Sequence, residues 1–206
     1  MNAPSRFSPG ELAVLAFTLA YSTAFSALIL MRGNREFVIY VVTMLVLVGL
    51  VALTRKSAAY PVPMLWALSI WGLAHMAGGN LHVGGDVLYN LVLVPISGSG
   101  EMTILKYDQL VHAWGFGVTA WLLRHVLVRH HPSTARGLAG YALPALAAMG
   151  LGATNEIIEF IAVLSVPYTN VGGYLNTALD LVFNALGALL AMLACRIAAD
   201  RHVAAS

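Results

Sequence analysis

Residues 177–197 read TALDLVFNALGALLAMLACRI, a nearly continuous apolar run with Asp180 and Asn184 inside it. An α-helix needs about 20 mainly apolar residues to cross the hydrocarbon core of a bilayer, so this stretch predicts a transmembrane helix. A carboxylate near the middle of such a helix costs about 2.5–3.5 kcal/mol on insertion scales, and chains seldom carry one without a use for it. Asp180 therefore indicates a functional site as well as a helix.

The composition of the whole chain is that of a polytopic membrane protein. Of its 206 residues, 59% are hydrophobic and 10% are charged, whereas about 25% of a typical soluble domain is charged. The apolar segments of near-spanning length are Leu12–Met31, Phe37–Leu53, Pro63–Ala77, Gln109–Val128, Leu138–Leu164 and Thr177–Ile197. We therefore predict an all-α bundle of six transmembrane helices, with a long external loop between helices 3 and 4. The bundle forms a single integral membrane domain over residues 1–206, with its polar-site core at about residues 75–190.

The distribution of lysine and arginine predicts the orientation of the bundle. Eight of the 11 lie on the side that holds the N-terminus, the second and fourth loops and the C-terminus. The positive-inside rule places that side in the cytoplasm, so we expect both termini there. The loop between helices 3 and 4 is then external, and its apolar run Val87–Ile96 is too short to span. We expect this run to form an interfacial or re-entrant segment whose backbone is satisfied by protein or water.

Charge and cysteine content exclude two kinds of chemistry. The net charge is only +2 and the chain has no basic run that could follow phosphates, so a nucleic-acid partner is not expected. Cys195 is the only cysteine, which excludes an internal disulfide. The function must therefore come from the polar residues within the apolar segments.

Ionisable side chains are concentrated in the predicted external half of helices 3 to 6. Asp108 and His112 are four residues apart at the start of helix 4, and Glu156 and Glu159 are three apart in helix 5. Each pair therefore shares a helix face. The predicted site residues are His75, His82, Asp108, His112, Asn155, Glu156, Glu159, Asn176, Asp180 and Asn184. We expect the site to lie between helices 3 to 6 and to face the exterior.

Several of these residues also have a purely structural interpretation. Asp108 is compatible with a helix N-cap at the water boundary, and His75 and His82 are compatible with residues that merely flank a glycine-rich loop. Asn184 is compatible with an interhelical hydrogen bond. These alternatives stay open at the level of sequence.

Three motifs occur in order along the chain: Asp108-x-x-x-His112, Asn155-Glu156-x-x-Glu159 and Asp180-x-x-x-Asn184-x-x-Gly187-Ala188. They resemble the Asp-Lys-x-x-His, Glu-x-x-Gln and Asp-x-x-x-Asn-x-x-Gly-Ala motifs of VanZ-like membrane proteins. The chain is more similar still to the YjdF-like inner-membrane proteins, which have a Glu-x-x-Glu-like fifth helix and a Gly-rich turn before the final Asp, here Val171-Gly172-Gly173. The resemblance covers roughly His75 to Leu190 and implies a bacterial-type inner membrane.

Two departures from the VanZ-like pattern concern the charge of the site. Gln109 stands where those proteins usually have lysine, and Glu159 stands where they usually have glutamine. If that lysine neutralises the carboxylates, this chain needs another cation, which favours a metal. Ionised Glu156 and Glu159 on one helix face would repel each other unless a cation, a shared proton or a basic partner such as His112 lies nearby.

The first functional hypothesis is a membrane-embedded metal-dependent hydrolase or transferase. Histidine and carboxylates are ordinary ligands of zinc, manganese and iron, so a divalent metal is the expected cofactor. The predicted metal ligands are Asp108, His112, Glu156, Asp180, His75 and His82, the last two at a second position. The predicted catalytic residues are Glu159, Glu156 and His112, with Glu159 as a general base for a bound water or as a further ligand. The expected substrate is a membrane lipid or lipid-linked small molecule that enters from the outer leaflet.

The alternative hypotheses need no chemical reaction. Carboxylates that share a histidine can form a proton or cation relay, so the chain is also compatible with a proton- or cation-coupled small-molecule transporter or a ligand-binding membrane protein. A transporter predicts a polar path that continues inward past Asn184 towards Arg124 and His125. A third possibility is an ion-stapled structural scaffold that works with a partner protein.

Overall fold

Six α-helices make up most of the computed structural model, which describes residues 7–33, 35–165 and 172–205. The helices are α1 (Pro9–Arg32), α2 (Arg35–Ala58), α3 (Val62–Asn80), α4 (Tyr107–His130), α5 (Ala139–Ser165) and α6 (Tyr174–Ala205). Each predicted apolar segment falls within one of these helices, to within one residue at its ends. Val171, in the glycine-rich turn before α6, lies outside the described residues.

Four stretches of helix are long and apolar enough to cross a bilayer. They are Pro9–Arg32, Val41–Ala58, Ala139–Ser165 and Tyr174–Arg201, which belong to α1, α2, α5 and α6. Within the described residues α3 and α4 do not meet that criterion, so the six-span prediction is supported for four helices and stays a prediction for these two. In α4 the polar residues of the site, Asp108 and His112, and the basic C-terminal turn lower the mean hydropathy.

The connection between α3 and α4 contains two short antiparallel hairpins, which the all-α prediction did not include. They pair β1 (His82–Val83) with β2 (Asp86–Val87), and β3 (Val92–Ser97) with β4 (Ile104–Lys106). Gly84 and Gly85 turn the first hairpin with φ of 65° and 92°, the pair of positive values that a two-residue turn favours. The expected interfacial segment is largely a strand because its branched side chains favour extended backbone.

The chain divides into two compact units, one ending at Leu88 and the other beginning at Tyr89. In the first unit α1 packs along α3, and α2 contacts both helices. A core of Tyr21, Ile29 and Met76 lies between them. The single-domain organisation of the chain stays a prediction, and the site described below lies entirely in the second unit.

Glycine residues set the distances between the three helices of the second unit. A Cβ atom on Gly187 of α6 would collide with the backbone carbonyl oxygen of Ala113 in α4, and one on Gly117 would lie 3.1 Å from the carbonyl oxygen of Gly187. A Cβ atom on Gly152 of α5 would lie 2.8 Å from Nδ2 of Asn184 in α6. Small residues at these positions let the helix backbones approach closely, as they do in other membrane bundles.

Around the first half of α6, the second unit is polar inside and apolar outside. Asp180 and Asn184 of α6 are each 1% exposed, whereas Leu186, Leu189 and Leu190 on the same helix are well exposed. A helix of a soluble protein turns its apolar face inward and its charged face outward. The reversed arrangement is typical of a helix bundle surrounded by lipid.

Candidate metal centre

His112 lies at the centre of a cluster of polar side chains from α4, α5 and α6. Its side chain is buried, and carboxylate oxygens of Asp108, Glu156 and Asp180 lie within 4.0 Å of its ring nitrogens. The four-residue spacing puts Asp108 on the same face of α4 as His112, and the glycine contacts bring α5 and α6 close to that face. These four predicted ligands therefore lie together.

One side of the imidazole faces two aspartates. Nε2 of His112 lies 3.5 Å from Oδ1 of Asp108 and 4.0 Å from Oδ1 of Asp180. On the opposite edge of the ring, Nδ1 lies 2.9 Å from Oδ1 of Asn184. Because a carbonyl oxygen can only accept, Nδ1 carries the hydrogen and donates it, which leaves the lone pair of a neutral ring on Nε2. The asparagine thus turns the ligating nitrogen towards the aspartates.

The Nδ1 side of the imidazole faces Glu156 of α5, and Glu159 of the same helix lies close to both residues. Oε1 of Glu156 lies 3.7 Å from Nδ1 of His112, and Oε1 of Glu159 accepts a hydrogen bond of 2.9 Å from Nδ2 of Asn155. One ligand atom each from His112, Glu156 and Glu159 lies within 4.8 Å of the others, and the same holds for Asp108, His112 and Asp180. The predicted ligands therefore form two groups that share the histidine.

Three fully buried carboxylate oxygens of the cluster make no hydrogen bond of good geometry among the described residues. They are Oδ1 of Asp180 and both oxygens of Glu156. Asp180 is 1% and Glu156 is 8% exposed, so solvent does not compensate for the missing bonds. A buried ionised carboxylate is stable only when it is paired or coordinates a metal. The cluster is thus incomplete without a cation or added protons.

Lys106, which is not among the predicted site residues, supplies a buried positive charge to the site. Its side chain is only 5% exposed, and Nζ donates a hydrogen bond of 3.0 Å to Oδ1 of Asn176. Nδ2 of Asn176 in turn donates to Oδ2 of Asp180 at 2.6 Å and to Oδ2 of Asp108 at 3.3 Å. The ammonium group is thus one asparagine away from both aspartates.

The absence of a lysine at position 109 therefore does not by itself favour a metal. Gln109 does occupy the lysine position of the VanZ-like pattern, but a lysine three residues earlier brings its charge to the cluster. Gln109 instead fixes the start of α4: its Oε1 accepts from the backbone N–H of Lys106 at 3.1 Å, and its Nε2 donates to the carbonyl oxygen of Thr103 at 2.9 Å. The sequence feature that could have indicated this role is a lone lysine directly before the apolar helix, two residues from Asp108.

The structure also tests the purely structural interpretations of Asp108 and Asn184. Helix α4 has Lys106 at its N-cap position, so Asp108 lies inside the first turn and the N-cap interpretation of Asp108 is wrong. The interhelical hydrogen bond expected of Asn184 is present, and its partner is His112. His75 lies in α3 and His82 in β1, both in the first unit, and their role as metal ligands stays a prediction.

Apolar side chains follow the cluster along the bundle. One and two turns beyond Asn184 on α6 come Ala188 and Met192, which pack with Ala120 of α4 and with Ala148 of α5 in a buried apolar core. Arg124, further along α4, donates to the carbonyl oxygen of Gly140 at 2.6 Å. This packing counts against the polar path that the transporter hypothesis predicts.

Replacing Lys106 by methionine is expected to destabilise the second unit. The substitution keeps most of the side-chain volume but leaves Oδ1 of Asn176 without its charged donor, and hydrogen bonds to charged groups contribute about 1.5–3 kcal/mol. The measurement is the midpoint of thermal unfolding in detergent. Lys56→Met, at an exposed position near the end of α2, is the matched control. Equal midpoints for the two variants would show that the buried ammonium does not support the cluster.

Comparison with known proteins identifies one family. The family described as a predicted membrane protein, DUF2238, matches residues 12–201. No curated protein and no solved structure shows a significant match to the chain. The matched range begins in α1 and ends in α6, so it includes every residue of the cluster.

Proposed function

The chain belongs to the DUF2238 family of predicted membrane proteins, and on that premise we propose that it is a membrane-embedded, metal-dependent hydrolase or group transferase. Its substrate is a lipid or a lipid-linked small molecule. A divalent cation, with zinc, manganese and iron as candidates, is bound by Asp108, His112 and Asp180. The relation to the YjdF-like and VanZ-like proteins belongs to the same proposal, as do the bacterial-type inner membrane and the cytoplasmic termini.

The unpartnered Oδ1 of Asp180 is the observation that carries this proposal. It points at Nε2 of His112 together with Oδ1 of Asp108, and the separations from that nitrogen are 4.0 and 3.5 Å. Ligand atoms that share a tetrahedral zinc ion are about 3.3–3.6 Å apart, given metal–ligand distances of about 2.0–2.2 Å. The shorter observed separation lies in that range and the longer one is slightly above it, so the three atoms can share an ion after a small adjustment.

The partners of these ligands also support a metal site. Metal-binding histidines usually donate their second ring N–H to an oxygen acceptor, which fixes the tautomer, and Asn184 accepts such a bond from His112. Asn176 holds the other oxygen of Asp180 at 2.6 Å. Each of the two buried ligands is thus oriented by an asparagine on α6 while its ligating atom stays free.

The chemistry follows from the donor set. A bound divalent cation would polarise a substrate oxygen and activate a water molecule. Glu156 and Glu159 are the remaining carboxylates of the cluster, and one that comes within hydrogen-bond reach of an attacking water would accept its proton. Asn155 orients Glu159 for this role by its bond to Oε1.

A lipid-like substrate is supported by the exposed apolar strand β3. Val92, Leu93, Val94 and Ile96 are all exposed, and β3 pairs with β4, which runs directly into the first turn of α4. That turn carries Asp108. An apolar chain lying along β3 would therefore bring an attached polar group towards the carboxylates.

Metal analysis of the purified protein tests the proposed function. Wild-type protein prepared without chelator is expected to contain at least one divalent cation per chain, and a strong chelator is expected to lower its unfolding temperature because a bound ion stabilises the folded state. Asp180→Asn should lose the ion, whereas Asp200→Asn, an exposed acid on the same helix, should retain it. Metal-free wild-type protein with the same unfolding temperature before and after chelation would contradict the proposal.

A further inference from the structure

We propose a second cation site on the other side of the His112 imidazole, with the carboxylates of Glu156 and Glu159 as its ligands. The inference rests on the proposed function, because it adds a second metal position to the centre held by the aspartates. It assigns that position to α5, in place of the two histidines that the sequence analysis considered.

The carboxylate of Glu156 is buried and poorly hydrogen-bonded. Its side chain is 8% exposed, and neither carboxylate oxygen makes a hydrogen bond of good geometry among the described residues, although the amides of Asn155 and Asn184 lie near it. Its Oε1 points towards the imidazole, 3.7 Å from Nδ1 of His112. That nitrogen already donates to Asn184, so the histidine does not satisfy the carboxylate. A buried ionised group in this condition requires a partner.

Glu159 lies close enough to Glu156 to share a cation with it. It follows Glu156 by three residues and so lies on the same face of α5, where a carboxylate oxygen comes within 4.8 Å of ligand atoms on Glu156 and His112. Nδ2 of Asn155 holds its Oε1 at 2.9 Å. Two carboxylates this close repel when both are ionised, and a cation between them converts the repulsion into attraction.

The distribution of charge in the whole cluster also favours a cation beside the glutamates. Four carboxylates, those of Asp108, Glu156, Glu159 and Asp180, surround one imidazole, and the buried ammonium of Lys106 is linked through Asn176 to the two aspartates only. With a neutral histidine and all four carboxylates ionised, one divalent cation leaves the cluster negative. A second divalent cation changes the net charge from −1 to +1 when the ammonium of Lys106 is counted, so it does not lower the magnitude of the charge. It does place a positive charge beside Glu156 and Glu159, the two carboxylates that Asn176 does not link to Lys106.

The donor atoms indicate the class of ion. The second position offers only carboxylate oxygens and water, which suit hard cations such as Mn²⁺ and Mg²⁺, whereas the imidazole at the first position also suits Zn²⁺. If each glutamate binds through one oxygen, its second oxygen stays available. The second site is therefore compatible with the proton-accepting role of Glu156 and Glu159.

Manganese titration distinguishes the two positions. Metal-stripped protein in detergent is equilibrated with Mn²⁺, and the bound ion per chain is counted by equilibrium dialysis and by electron paramagnetic resonance. We expect two ions per wild-type chain, one in Glu156→Gln and one in Glu159→Gln. Asp180→Asn should also bind one, and the Asp180→Asn/Glu156→Gln double variant should bind none. Asp200→Asn should keep both, and circular dichroism verifies that each variant is folded.

The ion counts distinguish failure of the second site from failure of the proposed function. A single wild-type ion that is lost in Asp180→Asn and kept in both glutamine variants, or two ions that persist in both glutamine variants, would overturn the second site and leave the first intact. No bound ion in wild-type protein would remove the proposed function as well. If Glu156→Gln does not fold, the ion count of Glu159→Gln alone tests the second site. That variant should fold, because an amide at position 159 can still accept the hydrogen bond from Asn155.

Discussion

His112→Ala is expected to remove one divalent cation per chain while the helices remain folded. The imidazole is the only nitrogen ligand in the group formed with Asp108 and Asp180, and its loss leaves two aspartates that repel each other. Loss of a group that merely orients a ligand weakens metal binding by about 10–100-fold. The loss of the ligand itself should therefore cost more than about 100-fold in affinity. Elemental analysis of protein purified without chelator measures this directly.

The control for this variant lies on the same helix. His130→Ala removes an exposed imidazole from the last turn of α4 and should leave the metal content and the unfolding temperature unchanged. His112→Gln, which keeps a polar side chain of similar length, replaces the alanine variant if that variant does not fold. Equal metal content in wild-type, His112 and His130 variants would rule out His112 as a ligand.

Gly187→Ala is expected to separate α4 from α6 and to disrupt the site without changing any polar residue. The added methyl group would collide with the backbone carbonyl oxygen of Ala113, and backbone cannot move aside as the end of a flexible side chain can. Overpacking of this kind costs about 1–3 kcal/mol and occasionally more. Because α4 carries His112 and α6 carries Asp180, the variant should lose metal as well as stability.

Gly150→Ala is the matched control for the glycine prediction. It introduces the same methyl group inside α5, where nothing lies within 4 Å of the new atom. Replacing a helical glycine by alanine should then stabilise the protein by about 0.5–1 kcal/mol. The unfolding midpoints of the two variants should shift in opposite directions. A Gly187→Ala protein as stable as wild type, with its metal retained, would show that the contact with Ala113 does not set the helix distance.

The sequence predicted the helices well because hydropathy and helix length are local properties. The apolar run at 177–197 lies inside α6, and the other predicted segments also coincide with helices. The hairpins between α3 and α4 were missed. Their strands are two to six residues long, and such short strands depend on pairing with a neighbour rather than on a periodic pattern of their own.

Much of the site could also be predicted from spacing. Asp108 and His112 at four residues, and Glu156 and Glu159 at three, share faces because of the helical repeat, and both pairs do face the same cluster. The position of Lys106 could not be read in this way. It precedes the helix, at the end of β4, and its hydrogen bond to Asn176 of α6 depends on how these elements pack.

The sequence by itself predicted that carboxylates, histidines and asparagines of helices 3 to 6 would be buried together in an apolar bundle, since their cost in lipid requires them to face one another. The buried ones are His112, Glu156, Asn176, Asp180 and Asn184. Only the tertiary structure decided how they are grouped. The ring of His112 has two nitrogens on different edges, and helix packing places the aspartates at one edge and Glu156 near the other. Helical periodicity fixes which residues share a face of one helix, but the distances between helices depend on the glycine contacts that bring their backbones together.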